Sequence, residues 1–330
     1  MSTTVNKEGK MSWFLRSLFG FEHPTTTAER YFFNAFEVFV VGFTLKYAWG
    51  WATYVQQVSD VVLPLGVANY VDVSVLFQSW TAFGVAGALT LAVLLGWTRT
   101  WRYGYVAALV LLHLLFAARY SQGEIPHSSN IPGMTLLGLG LGIAAFDRER
   151  FRRRFTLGFT YFSIGLGYTS AAVCKLIGTG PLWADGHHLQ IWIYEKSIDV
   201  FAATGSFNFT FVQSLALDYY WIATLFLVIG FVSESLAFLM WWPRFRIPMV
   251  LAVLGLHTGI YFSMRIVFAF TTVELILLAL PWACIAERIF ARSDVECPLP
   301  HFRSPRDPEA EEDRSSLPPS PKDQPEPLPA

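Results

Sequence analysis

The chain has 330 residues, of which 53% are hydrophobic, 16% aromatic and only 15% charged, with a formal net charge of −1. One soluble core cannot hide that much apolar surface, so the composition and positive mean hydropathy point to an integral membrane protein. The near-neutral balance excludes a nucleic-acid footprint, which needs a concentrated basic face.

Taken in chain order, residues 1–28 read as an N-terminal interfacial or cytoplasmic segment. Within it, 13–21 forms either an amphipathic helix lying on the membrane or an ordinary helix packed on the bundle. No short apolar run ends in a small-residue cleavage site, so no removable signal is expected, and the first span serves as its own insertion signal. A transmembrane domain over 29–290 follows. Runs of about 20 apolar residues predict an all-α, polytopic helical membrane bundle of about eight transmembrane helices, at residues 32–51, 75–97, 103–118, 131–146, 155–177, 220–242, 248–268 and 270–286. In the fourth span, Gly138 and Gly142, with Gly140 between them, form a small-residue stripe that lets a neighbouring backbone approach closely. The long connection 178–218 is too apolar for a free loop and is expected to fold back onto the outer end of the bundle. The tail 291–330 is rich in Pro, Ser, Asp and Glu and is expected to be disordered cytoplasm.

Every second connection is basic. Arg99 and Arg102 follow span two, Arg148 to Arg154 contribute five arginines after span four, Arg244 and Arg246 follow span six, and Arg288 and Arg292 follow span eight. Short cytoplasmic loops retain Lys and Arg, so this alternation predicts a multi-pass cell-membrane protein with both termini cytoplasmic. Cys174, Cys284 and Cys297 are an odd number and imply no disulfide framework; the plain reading of each is a structural thiol.

A titratable group inside an apolar run costs about 3 kcal/mol at the bilayer centre unless it meets a partner or a cavity, which makes each one a functional candidate. On span five, Tyr161, Gly165, Tyr168, Ala172 and Lys175 recur at helical spacing and line one face. Lys175 near the end of that face either snorkels to the interface or is a desolvated amine able to act as a base or nucleophile. His257 falls midway along span seven, too deep to snorkel, and His257, Tyr261 and Arg265 continue at intervals of four as a polar ladder; a satisfied core histidine is the alternative. Glu234, on span six, is similarly deep, as a neutral carboxyl or paired with His257. Glu274 and His113 read as structural groups, expected beside Arg265 and Arg119. Glu37 and Lys46 lie on opposite faces of span one and are not expected to pair. His187 and His188 point apart, and with no cysteine or acid at suitable spacing a metal site is not expected.

Around Lys175 the run Ala171-Ala172-Val173-Cys174-Lys175-Leu176, followed by Trp183-Ala184-Asp185-Gly186, resembles a segment of the vitamin K-dependent gamma-carboxylase family, in which a Lys-Leu pair precedes Trp-x-acid-Gly. The membrane module of that carboxylase also defines the wider horizontally transferred transmembrane domain family. Phe238-Leu239-Met240, the basic turn after it, His257, and the acidic Glu234 just upstream extend the resemblance, which covers about 30–290. The resemblance implies an enzyme, a lyase in the carboxylase itself, that works on a reduced quinone with Lys175 as base and His257 or Glu234 handling a proton. Tyr168, Tyr261, Trp183, Asp185 and Gly186 are then candidate cofactor contacts. His127 and Asn130 join them in reversed order and displaced from the family's Asn-His pair. Cys174-Lys175 stands where the animal enzyme has two lysines. The carboxylase's large substrate-binding domain outside the membrane has no counterpart in these residues, so carboxylation of a protein is not expected. The expected partners are membrane lipids and a lipid-soluble substrate in a mostly apolar, outward-opening cavity, with no nucleic acid. A non-catalytic transport or scaffold component binding a lipid or a partner protein is the reading from a different class.

Overall fold

The computed structural model describes residues 27–57, 62–78, 80–123, 131–146, 149–280 and 282–290, all as helices and the turns between them. The α-helices are α1 (Thr27–Gln57), α2 (Thr81–Trp97), α3 (Gly104–Ser121), α4 (Ile131–Ala145), α5 (Glu149–Thr179), α6 (Gly186–Thr204), α7 (Phe211–Asp218), α8 (Tyr220–Ser235), α9 (Pro243–Met264), α10 (Ala269–Ala279) and α11 (Trp282–Phe290). Expectations for residues 1–26 and 291–330, and for His127 and Asn130, lie outside the described residues.

The bundle has a mainly apolar core that encloses a few charged groups, and its outer face is apolar as well. Glu37, Arg246 and Glu274 are at most 1% exposed, whereas Leu91, Val110 and Leu251 on α2, α3 and α9 are each about 60% exposed. Extensive apolar surface on a folded monomer marks a face that meets something other than water. By length and composition, α3 and the α9 segment Arg244–Met264 are long and apolar enough to cross a membrane. A third joins them if α7 and α8, bent by 113° at Tyr219, count as one broken span. Helices α2, α4 and α10 are apolar but shorter. At 1.5 Å per residue they fall short of a hydrocarbon layer of about 30 Å.

Two of the expected spans are interrupted. Residues 220–242 stay α-helical only to Ser235 and then tighten into the 3-10 turn Ala237–Trp241. Residues 270–286 break after Ala279, leaving α10 and α11 as separate pieces. Neither break shows in hydropathy, because both lie in continuously apolar sequence. The first break is stitched from outside. Arg246 donates to the carbonyls of Met240 and Trp241 at 3.0 and 3.1 Å, and Thr169 on α5 accepts from the Phe238 N–H at 3.0 Å. Backbone groups freed at a helix end need such partners where water is scarce.

Close packing of these helices depends on small residues that let backbones approach. A Cβ on Gly138 would lie 2.9 Å from the Phe159 ring, one on Gly142 2.8 Å from the Thr156 hydroxyl, and one on Gly140 2.7 Å from Val106. The glycine stripe of α4 therefore docks on α5 through two of its members and on α3 through the third. Residues 178–218 fold as the 3-10 turn Gly180–Ala184, α6 and α7. They pack on α8 through Leu189, Ile193, Ala216, Ala223 and Leu227, a cluster separate from the main core of α1–α5, α9 and α10.

Candidate functional site

The predicted face of α5 is real: Tyr161, Gly165 and Ala172 are buried on it, and Tyr168 and Lys175 are partly buried. Gly165 makes the arrangement possible. A Cβ there would meet the Ala237 carbonyl at 2.7 Å, so α5 runs against the break after α8. That contact brings the last turn of α8, with Glu234, beside Lys175 about three turns further along α5.

Lys175 and Glu234 form an ion pair, with Nζ on Oε2. The Glu234 side chain is 9% exposed and that of Lys175 26%. The chain then folds back through Gly180–Ala184, and the Trp183 ring sits 4.3 Å from the same Nζ. An indole face attracts a cation and shields it from solvent. Trp183 is held in turn by Trp192 and Phe231 at 5.8 and 6.0 Å between ring centres. Cys174, next to the lysine, is exposed.

His257 is engaged at both ring nitrogens. Nε2 meets the Tyr168 hydroxyl at 2.5 Å, Nδ1 meets Thr272 Oγ1 at 2.9 Å, and Phe268 stacks on the ring at 4.7 Å. A neutral imidazole has one donor and one acceptor, so these contacts fill both roles. Tyr168 and Lys175 are seven residues apart, about 10 Å along α5, so one helix face carries both the amine and the phenol that holds the imidazole. Thr169, beside Tyr168, also donates to the Glu234 carbonyl at 3.3 Å and fixes the turn carrying the carboxylate.

The expected Glu234–His257 pair does not form, because Lys175 takes the carboxylate and Tyr168 the imidazole. The ladder through Tyr261 and Arg265 turns away as well. Tyr261 is 49% exposed, and Arg265 closes α9 in the left-handed conformation, φ 57°, and donates to the Asn208 carbonyl at 3.1 Å. Glu274 accepts from Thr135 at 2.7 Å rather than pairing with Arg265. His113 stacks on Phe116, and Arg119 lies over Tyr54.

Asp185 and Gly186 shape the turn rather than touch the amine. Asp185 caps α6, accepting from the His187 N–H at 2.9 Å; that bond holds its exposed carboxyl below the ordinary carboxylate range, helped by the nearby His187, Tyr220 and His188 side chains. A Cβ on Gly186 would lie 2.5 Å from the Tyr220 carbonyl, so only glycine lets α6 start so close to α8. His187 faces Tyr220 and Gln190, while His188 faces the Trp183 carbonyl.

Thr272, Phe268 and Thr169 belong to this constellation although their sequence positions do not mark them. Thr272 and Phe268 sit in apolar sequence across the α9–α10 turn, and only the folding of that turn brings them to His257. Thr169 carried one clue, a hydroxyl beside the face that ends in Lys175.

The arrangement can hold a proton between an amine and a carboxylate at a partly open edge, with an imidazole and a phenol on the same helix face. Compared with known proteins, the chain matches no protein-family model, no curated protein and no solved structure.

Proposed function

We propose that this chain is a multi-pass membrane enzyme of the vitamin K-dependent carboxylase-like family that acts on a lipid-soluble, quinone-like substrate with Lys175 as the base. The observation carrying this reading is the Lys175–Glu234 ion pair under the Trp183 ring, where the amine keeps an open edge instead of being saturated by fixed acceptors. Moving one proton from Nζ to Oε2 leaves a free amine and a neutral acid, and the free amine is the form that accepts a substrate proton. Glu234 then stores the proton, with the Tyr168–His257 pair about two turns from Lys175 on the same face of α5. Trp183 gives a flat apolar face for a ring-shaped substrate, and a reduced quinone fits this chemistry as cofactor. The alternation of basic connections supports about eight spans in a cell membrane with both termini cytoplasmic, with membrane lipids as the surrounding partners.

A non-catalytic transport or scaffold role has its own support: among these groups the amine, the carboxylate, the imidazole and the phenol all have partners within the protein. Purified protein in nanodiscs, given reduced quinones of differing ring and tail in the presence of oxygen, separates the two. The enzyme reading expects consumption of at least one quinol and its loss in Lys175→Ala at unchanged protein yield. No turnover of any quinol by the wild type, or equal turnover by Lys175→Ala, overturns it.

A further inference from the structure

A second charged group lies at the opposite end of α5, about 35 Å along the helix from Lys175. Arg152 is in the first turn of α5, ahead of the apolar stretch. Its Cγ lies 3.3 Å from where a Cβ on Gly142 would stand, so its stem runs along the last turns of α4. Arg102, from the turn between α2 and α3, donates to the Ala144 carbonyl at that same end of α4. Arg99, from the same turn, is close enough to act on Arg152 electrostatically. Two guanidinium-bearing side chains, Arg152 and Arg102, thus reach the same helix end, and the Arg99 guanidinium held by Glu37 adds positive charge nearby.

Among the described residues, the acids that act on Arg152 are already engaged. Glu37 accepts both N–H groups of Arg99 at 2.6 and 2.7 Å and the Tyr105 hydroxyl at 2.5 Å, and Glu149 meets Arg153 at 3.4 Å. The Arg152 Nε is buried and has no hydrogen-bond partner among the described residues. Burial first, and then the charge of Arg99, hold the Arg152 guanidinium below its ordinary range, with Glu149 and Glu37 acting the other way and Arg153 adding to the repulsion. A buried donor without an acceptor, beside like charges, is a costly arrangement that an anion relieves.

We propose that Arg152 with Arg102 forms a binding site for a phosphate-bearing anion at the end of α4, next to the positive charge of the Glu37-bound Arg99. Guanidinium groups match phosphate oxygens with paired N–H donors, and basic pockets between membrane helices take anionic headgroups. The phosphate comes either from an anionic phospholipid headgroup or from free inorganic phosphate. The site uses none of the residues around Lys175, so it stands or falls separately from the proposed enzyme chemistry.

Full-length protein in phosphatidylcholine nanodiscs tests this, with added phosphatidylglycerol in one arm and inorganic phosphate in another, reading the unfolding temperature and, by native mass spectrometry, retained lipid. Stabilisation by phosphatidylglycerol alone assigns the site to a headgroup, and stabilisation by inorganic phosphate as well assigns it to the free anion. In either case Arg152→Gln should reduce binding about tenfold, consistent with loss of one charge-assisted contact of about 1.4 kcal/mol. Arg102→Gln, at an exposed position, should lower it too and serves if Arg152→Gln does not fold. Arg244→Gln, an exposed arginine at the start of α9, should leave it unchanged. No stabilisation in either arm, or an equal loss in Arg244→Gln, overturns the site.

Discussion

Glu37 on α1 and Glu234 on α8 are both buried carboxylates among apolar helices, yet they are held in opposite ways. Glu37 is saturated: a forked Arg99 and the Tyr105 hydroxyl fill both oxygens, and its side chain is 2% exposed. Glu234 meets one amine, and that amine keeps 26% of its surface and an aromatic ring for its other neighbour. The difference teaches where chemistry can live. A carboxylate whose acceptor sites are filled by a planar guanidinium is a clamp, because the guanidinium does not give up its proton. A carboxylate with a single lysine shares a proton that can move. Arg99 adopts the left-handed conformation, φ 61°, just past the end of α2, where chains commonly leave a helix in this way.

Breaking the saturated pair should have the largest effect. Arg99→Ala strands the Glu37 carboxylate inside the bundle and should destabilise by about 3–5 kcal/mol, seen as a large drop in unfolding temperature in detergent and reduced yield. The sparse pair sharpens the comparison through chemistry instead. Lys175→Arg keeps a cation for Glu234 and a guanidinium for the Trp183 ring, but not a removable proton. It should retain most of the stability while turnover of a responsive quinol falls about a hundredfold or more, as expected on losing a general base. Equal loss of stability and turnover would mean that Lys175 only holds α5 to α8, just as Arg99 holds α2 to α1.

Smaller changes test the frame on which both pairs stand. Gly142→Ala pushes a methyl toward Thr156 and the Arg152 backbone, with contacts of 2.8 and 3.3 Å, and should cost about 1–3 kcal/mol by overpacking, measurable by thermal unfolding. The smallest effect is expected at Asp185, which is exposed and acts through one backbone bond. Its carboxyl is lowered in the folded state by the His187 N–H, so its contribution is present above the ordinary carboxylate range and is lost as pH falls through the folded value. Asp185→Ala should therefore lower the unfolding temperature slightly at neutral pH, with the difference shrinking below about pH 4.

The helical class could be read along the chain, because apolar helices declare themselves by local composition, and two or three of the helices are long and apolar enough to cross a membrane. The glycine stripe of α4 and the face of α5 follow from helical spacing, and their packing agrees with it. The helix break after Ser235 does not show in hydropathy, since its cause is a contact from elsewhere, Gly165 and Thr169 on α5, whereas the break after Ala279 comes just ahead of Pro281, which disfavours helix at the residue before it. In the site, Lys175, Glu234 and His257 stand out as polar groups in apolar runs. Their pairing does not, and the interval-four ladder from His257 does not continue as one polar face: Tyr261 is largely exposed and Arg265 lies past the last turn of the helix.

By itself the sequence determined that the chain is helical and apolar on its outer faces, with a few expensive polar groups, because these are properties of short windows of residues. Which acid meets which base was decided only in the tertiary structure. Partners 59 and 62 residues apart, Lys175 with Glu234 and Arg99 with Glu37, are matched by where helices stop and touch. In an interior without water a charge settles on whichever donor the packing delivers.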